Sequence, residues 1–104
     1  MIVEERIYTL HPGKVAEMMK LYGEEGLPLQ ERYLGKFIGY FSTETGNLNQ
    51  VVFMWGYESL DDRSARRERL AQDPEWQRYL KKVLPLIVTQ ENRILKPAPF
   101  SPIR

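Results

Sequence analysis

The stretch KFIGYFSTETGNLNQVVFMWGY, residues 36–57, decides the fold. Residues 36–44 and 49–57 read as two strands, rich in the aromatic and β-branched side chains that suit a pleated surface. Between them, Thr45-Gly46-Asn47-Leu48 carries a Gly-Asn pair, the chemistry of a hairpin loop. Strand 49–57 sets Val51, Phe53, Trp55 and Tyr57 on one side and Val52 and Met54 on the other. Strand 36–44 sets Phe37 and Phe41 against Ile38 and Tyr40. A sheet with one wet face should alternate apolar and polar residues. These strands are apolar on both sides, so both faces of their sheet need cover.

Working outward, residues 2–10 alternate in the manner of a strand and stop at His11-Pro12-Gly13, a turn signal. Val15, Met18, Met19 and Tyr22 follow at helical spacing. Gly23, Gly26 and Pro28 weaken that helix, and the stretch to Leu34 reads as a second, kinked helical piece closed by Gly35. On the other side, Ser59-Leu60-Asp61-Asp62 starts a helix over 60–72 dominated by Arg63, Arg66, Arg67 and Arg69. Asp73-Pro74-Glu75 starts another, in which Trp76, Tyr79, Leu80 and Val83 share a face. Residues 86–95 form a fourth strand. The order β-α-β-β-α-β predicts an α+β, ferredoxin-like antiparallel sheet with helices on one face. Residues 1–96 make one domain, and 97–104 a Pro-rich, extended tail. Helices cover only one face, and a second copy of the chain is the simplest cover for the other, so a homodimer is expected.

Composition narrows the function classes. With 15 Lys and Arg against 14 Asp and Glu, the formal charge of the 104 residues is +1, without the basic excess of a nucleic-acid binder. The 42% hydrophobic content argues for a folded core. There is no cysteine and one histidine, so thiolate chemistry is excluded and neither a transition metal nor any cofactor is expected. No apolar run is long enough for a membrane span, and the acidic start of the chain lacks the pattern of a signal peptide. A cytoplasmic location is expected.

The chain also resembles the NIPSNAP family of the dimeric α/β-barrel superfamily. The similarity runs through Glu5-Arg6-Ile7-Tyr8-Thr9-Leu10 with Pro12-Gly13, Ile38-Gly39-Tyr40-Phe41 and Thr43-Glu44-Thr45-Gly46. It continues in Leu48-Asn49-Gln50-Val51, Trp55-Gly56-Tyr57-Glu58-Ser59-Leu60, Arg63, Arg67, Asp73 and Trp76. The resemblance implies a ferredoxin-like protomer whose sheet packs on another to form a barrel. Mitochondrial members carry an N-terminal extension, and this chain is expected to be a bacterial-type, single-module version. The wider superfamily includes cofactor-independent monooxygenases, haem-dependent enzymes and proteins without a reaction, so the resemblance fixes no activity.

Arg63 and Arg67 lie one helical turn apart and could hold a carboxylate or phosphate bidentately. Their structural alternative is pairing with Glu44, Glu58 or Asp73. Tyr8, Tyr40, Trp55 and Tyr57 could line an apolar pocket with polar tips, or serve as core and interface residues. Glu4 and Arg6 on the first strand and Asn92 on the fourth are inward polar groups that need partners. They could include a catalytic acid or base, although an interface salt bridge is the stronger expectation. His11 is expected in an exposed loop, and Asn47 and Asn49 serve the turn. The leading reading is a module binding a small molecule or a partner. The alternative is a cofactor-independent, monooxygenase- or isomerase-like enzyme with a small, partly apolar substrate, and haem handling comes third.

Overall fold

Strand β1 (Ile2–Leu10) alternates its side chains between two environments, and the rest of the fold is arranged around it. A computed structural model describes residues 1–104. The chain continues through α1 (Val15–Leu21), a π-helical turn (Tyr22–Gly26), α2 (Leu27–Tyr33), β2 (Lys36–Ser42) and β3 (Gln50–Tyr57). It closes with α3 (Leu60–Ala71), α4 (Pro74–Val83), a short 3-10 turn (Leu84–Leu86) and β4 (Ile87–Leu95). The strands pair in the order β2-β3-β1-β4, every pair antiparallel. This is the ferredoxin-like α+β arrangement, with the helices on one face.

The helix starts follow from local chemistry. Ser59 Oγ accepts the Asp62 N–H at 3.0 Å ahead of α3, and Asp73 accepts the Glu75 N–H at 2.7 Å ahead of α4. Pro74 sits at the first position of α4, where its missing N–H costs nothing. Gly35, between α2 and β2, allows a close backbone approach. A Cβ there would lie 2.1 Å from the Gly56 carbonyl oxygen, so no other residue fits. Gly46 turns the hairpin with φ +82°, in the region that glycine favours.

β2 departs from the expected alternation. Phe37 is opposite Trp55, and the next regular pair is Gly39 with Met54, so Ile38 is an extra residue. The bulge changes the parity of the strand. Phe37 and Tyr40 therefore share the helix-covered face, while Phe41 pairs with Val52 on the open face, and the expected grouping of Phe37 with Phe41 is corrected. Tyr40 stacks on both Phe53 and Tyr22, at centroid distances of 4.9 and 4.4 Å.

Met18, Tyr22, Leu29 and Gln30 face the sheet along the first helical run, whereas Met19 lies off that stripe and is exposed. Tyr22 donates its hydroxyl proton to Gln30 Oε1 at 2.5 Å. Eight residues of ordinary α-helix would leave those side chains roughly 80° apart around the axis. The wider turn at 22–26 takes up that offset and lets them meet. The opposite face of the sheet has no helix. There the irregular tail residues Pro97, Ser101 and Ile103 border a shallow groove with Val3, Ile38 and Met54.

Candidate functional site

The site is built on Glu4. Its place on β1 turns it toward the helices, opposite Trp55 of β3, and its side chain is 0% exposed. A lone buried carboxylate is strongly disfavoured, and here three donors converge on one of its oxygens. Arg63 Nη2 donates to Glu4 Oε2 at 2.6 Å, Asn92 Nδ2 at 2.7 Å and Arg6 Nη1 at 2.9 Å. Each donor comes from a different element or position, namely α3, β4 and the next inward position of β1. Arg6 also donates from Nε and Nη2 to the Tyr8 hydroxyl, at 3.0 and 2.9 Å.

Burial by itself would raise the Glu4 pKa. The hydrogen bonds from Arg63 and Asn92, with the charges of Arg6 and Arg67, outweigh it and hold the carboxyl at about 2. Glu4 is thus a fixed anion at neutral pH. Around it stand three guanidiniums, those of Arg6, Arg63 and Arg67. Burial pushes the Tyr57 phenol up, an effect that neighbouring Arg67 opposes in part, so Tyr57 keeps its proton. Glu4 Oε1 and Arg63 Nε are buried without a hydrogen-bond partner, whereas Arg67 lies in reach of the Tyr57 hydroxyl and Trp55 in reach of the Tyr22 hydroxyl.

The structure thus brings Arg63, Arg67, Tyr57 and Asn92 together, with Tyr8 joined through Arg6, whereas Trp55 packs on Phe37 and turns its indole toward Tyr22. Tyr40 lies apart, in an aromatic cluster with Tyr22 and Phe53. The expected structural partners of the arginine pair are corrected. Arg63 binds Glu4 rather than Glu44, Glu58 or Asp73, and Asp73 accepts instead from the Tyr33 hydroxyl at 2.6 Å. Arg67 forms no salt bridge. The expectation that Glu4 and Arg6 form an interface pair is also corrected, because they bond to each other on the helix-covered face. His11 is exposed, as its loop position predicts.

The four aromatic candidates do not enclose an open chamber. Trp55 is packed solid, Tyr8 borders a cavity of about 30 Å³ with Tyr22, Gln30, Tyr79 and Gln90, and Tyr57 borders a separate open groove of about 300 Å³ with Met1, Leu34, Lys36 and Arg66. Glu4 and Arg6, which the sequence marks only as inward polar groups in need of partners, form the centre of the site, and Tyr22, Gln30 and Tyr79 of the cavity wall are absent from the sequence-derived site. The alternation of β1 signals the first pair. The second group is indistinguishable by spacing from ordinary helix core. No group of three metal-ligating side chains converges anywhere, and no helix is long and apolar enough to cross a membrane.

Together these features define a ferredoxin-like α+β protein with a cation-rich cluster buried between its helices and its sheet. The sequence profile of the NIPSNAP family matches residues 3–102, and the chain belongs to that family. It is similar to Protein NipSnap homolog 3B of Homo sapiens, with 39% identity over 69 residues, 66% of this chain and 28% of that protein. The chain spans between 28% and 36% of the length of the first curated relatives it matches. A solved NIPSNAP family protein from Agrobacterium tumefaciens is 53% identical, with a TM-score of 0.96 over 99% of this chain and 98% of that one. A putative antibiotic biosynthesis monooxygenase from Nitrosomonas europaea shares the fold at a TM-score of 0.69, covering 93% of this chain and 98% of that one. Its 12% identity carries the fold likeness alone.

Proposed function

We propose that this chain is a homodimeric binding module that holds a small anionic molecule at Arg63 and Arg67. One observation carries the reading: three guanidiniums surround a single carboxylate in a mostly desolvated cluster, and Arg67 has no counter-charge of its own. A partly buried cation without a salt-bridge partner is left short of a counter-charge, and a bound anion supplies one. Binding is favoured over acid–base catalysis because Glu4 is held too acidic to accept a proton at neutral pH, and burial keeps Tyr57 protonated. The oxygenase-like alternative draws on fold likeness only.

The test of anion binding is thermal unfolding in the presence of small organic carboxylates and phosphates, against chloride at equal ionic strength. The expected result is a rise in midpoint for at least one anion class that disappears when Arg63 and Arg67 are both changed to Met. A midpoint indifferent to every anion would sink the reading.

The dimer rests on the open face of the sheet. Val3, Ile38, Phe41, Val52, Met54 and Leu95 lie on the face without helices, and Phe41 is 55% exposed. This apolar strip runs beside the Glu5–Arg93 ion pair on the same face, and an exposed strip of that kind is uncommon on a soluble monomer. A two-fold copy meets it with the same strip, and an obligate interface buries on the order of 2,000 Å². Phe100, at 88% exposure in the tail, is free to add to the contact. Light scattering after gel filtration should give twice the 12.3 kDa chain mass. A well-folded particle of single-chain mass overturns the dimer. We expect the protein in the cytoplasm, and fractionation of cells expressing it checks this.

A further inference from the structure

The cavity beneath the helices is separate from the Glu4 cluster and has an unsatisfied group of its own. It measures about 30 Å³, and no charged side chain borders it. Met18, Phe53 and Val83 give it apolar walls, and Tyr79 stands beside it with a buried hydroxyl that has no partner. Tyr79 is only 2% exposed, so outside solvent does not satisfy that hydroxyl. Gly26 makes room for it, since a Cβ there would lie 2.6 Å from the hydroxyl oxygen. Buried Gln30 borders the same cavity. Its Oε1 is taken by the Tyr22 hydroxyl at 2.5 Å, which leaves the Nε2 protons to give. Burial pushes the Tyr22 and Tyr79 phenols up, so both keep their protons.

Buried polar groups in folded proteins are almost always satisfied, and this one has space beside it. An oxygen that takes one proton from Tyr79 and one from Gln30 completes both. A guest that binds through its own hydroxyl does so less well. It cannot return its proton to the oxygen that donates to it, and the other carboxamide, Gln90, stands at the exposed rim. Water has the same defect twice over, since buried water typically makes about three bonds. An anion is disfavoured because no counter-charge borders the space. We infer that this cavity is a second site, independent of the arginines, for a small aldehyde or ketone whose carbonyl oxygen accepts from the Tyr79 hydroxyl and the Gln30 carboxamide. The guest is short. The space holds roughly two molecules of water's size, which limits it to a carbonyl bearing one or two methyl groups. Entry lies on the side of half-buried Leu80 and exposed Gln90, between α4 and β4.

The test is carbon–proton NMR of the intact chain, read at the Met18 and Val83 methyl groups, with acetone and 2-propanol as probes of matched shape. Acetone should shift both residues saturably, in the range on the order of 1–10 mM that so few atoms can reach. It should bind about fivefold tighter than 2-propanol, whose hydroxyl proton is left without an acceptor. Tyr79→Phe keeps the ring and should weaken acetone about fivefold. Tyr40→Phe removes an unpartnered hydroxyl that does not border the cavity, and should leave the affinity unchanged. Equal affinity for the two probes overturns the inference, and so does an acetone affinity untouched by Tyr79→Phe. The absence of any saturable shift overturns it as well, because water or nothing then fills the space. Each of these outcomes leaves the anion reading at Arg63 and Arg67 standing.

Discussion

The two ends of the helix-covered face solve the same problem by different means. At the aromatic end, Tyr22, Tyr40, Phe53 and Tyr79 fill space with rings and leave the Tyr40 and Tyr79 hydroxyls without partners. At the ionic end, Glu4 draws Arg6, Arg63 and Asn92 onto a single oxygen. The aromatic end tolerates its orphaned groups because they are neutral, and burial raises the pKa of both phenols and keeps them so. The ionic end has no such freedom, since guanidiniums stay charged under all ordinary conditions. Stability at one end therefore tracks shape, and at the other it tracks charge.

That contrast can be broken most forcefully at Glu4. Glu4→Ala leaves the guanidiniums buried without their anion, and should cost about 4 kcal/mol in urea unfolding. A loss below about 1 kcal/mol would mean that the cluster adds nothing to the fold. Acid is the next lever. The Glu4 pKa is lower in the folded chain than its ordinary value of 4.5, so its contribution is complete above pH 4.5 and drains away as pH falls to about 2. Depression of that size corresponds to about 3 kcal/mol. The acid limb of the stability curve should flatten in Glu4→Gln, and an unchanged limb would assign acid sensitivity to other carboxylates.

Shape is tested at the aromatic end. A Cβ on Gly26 would lie 2.6 Å from the Tyr79 ring and hydroxyl. Gly26→Ala should therefore cost about 2 kcal/mol by overpacking, equally at pH 7 and pH 3. A pH-dependent cost would blur the distinction between the two ends. The smallest effect belongs to Asn92→Ala, which removes one bond at the exposed edge of the ionic cluster. Unfolding should show a loss of about 1 kcal/mol.

The fold was legible because its signals are local. Ser59 and Asp73 announce their helices, Gly46 and Asn47 their loop, and the apolar strands on either side of that loop mark the centre of the sheet. The bulge at Ile38 was not, because an alternation read from one strand assumes unbroken pairing with its neighbour, and only Gly39 hints at the interruption. The site was legible in halves. Helical spacing joins Arg63 to Arg67, and alternation joins Glu4, Arg6 and Tyr8, but no rule of spacing joins residues separated by most of the chain. Glu4 and Arg63 meet because α3 packs on β3, and β3 pairs with β1.

The wide turn at Tyr22–Gly26 bears on how chains of this kind can differ in length. A π-helical turn holds one residue more than the α-helix on either side needs, so it acts as a counted spare in an otherwise fixed spiral. Losing that residue would rotate everything from Leu27 to Tyr33 relative to Met18, and the Tyr22–Gln30 bond would lose its alignment first. Gly23 lies within this turn, exposed, with open space where its side chain would stand. Substitution at that position is sterically free, whereas deletion is not. Length and identity are thus under separate constraints within the same five residues.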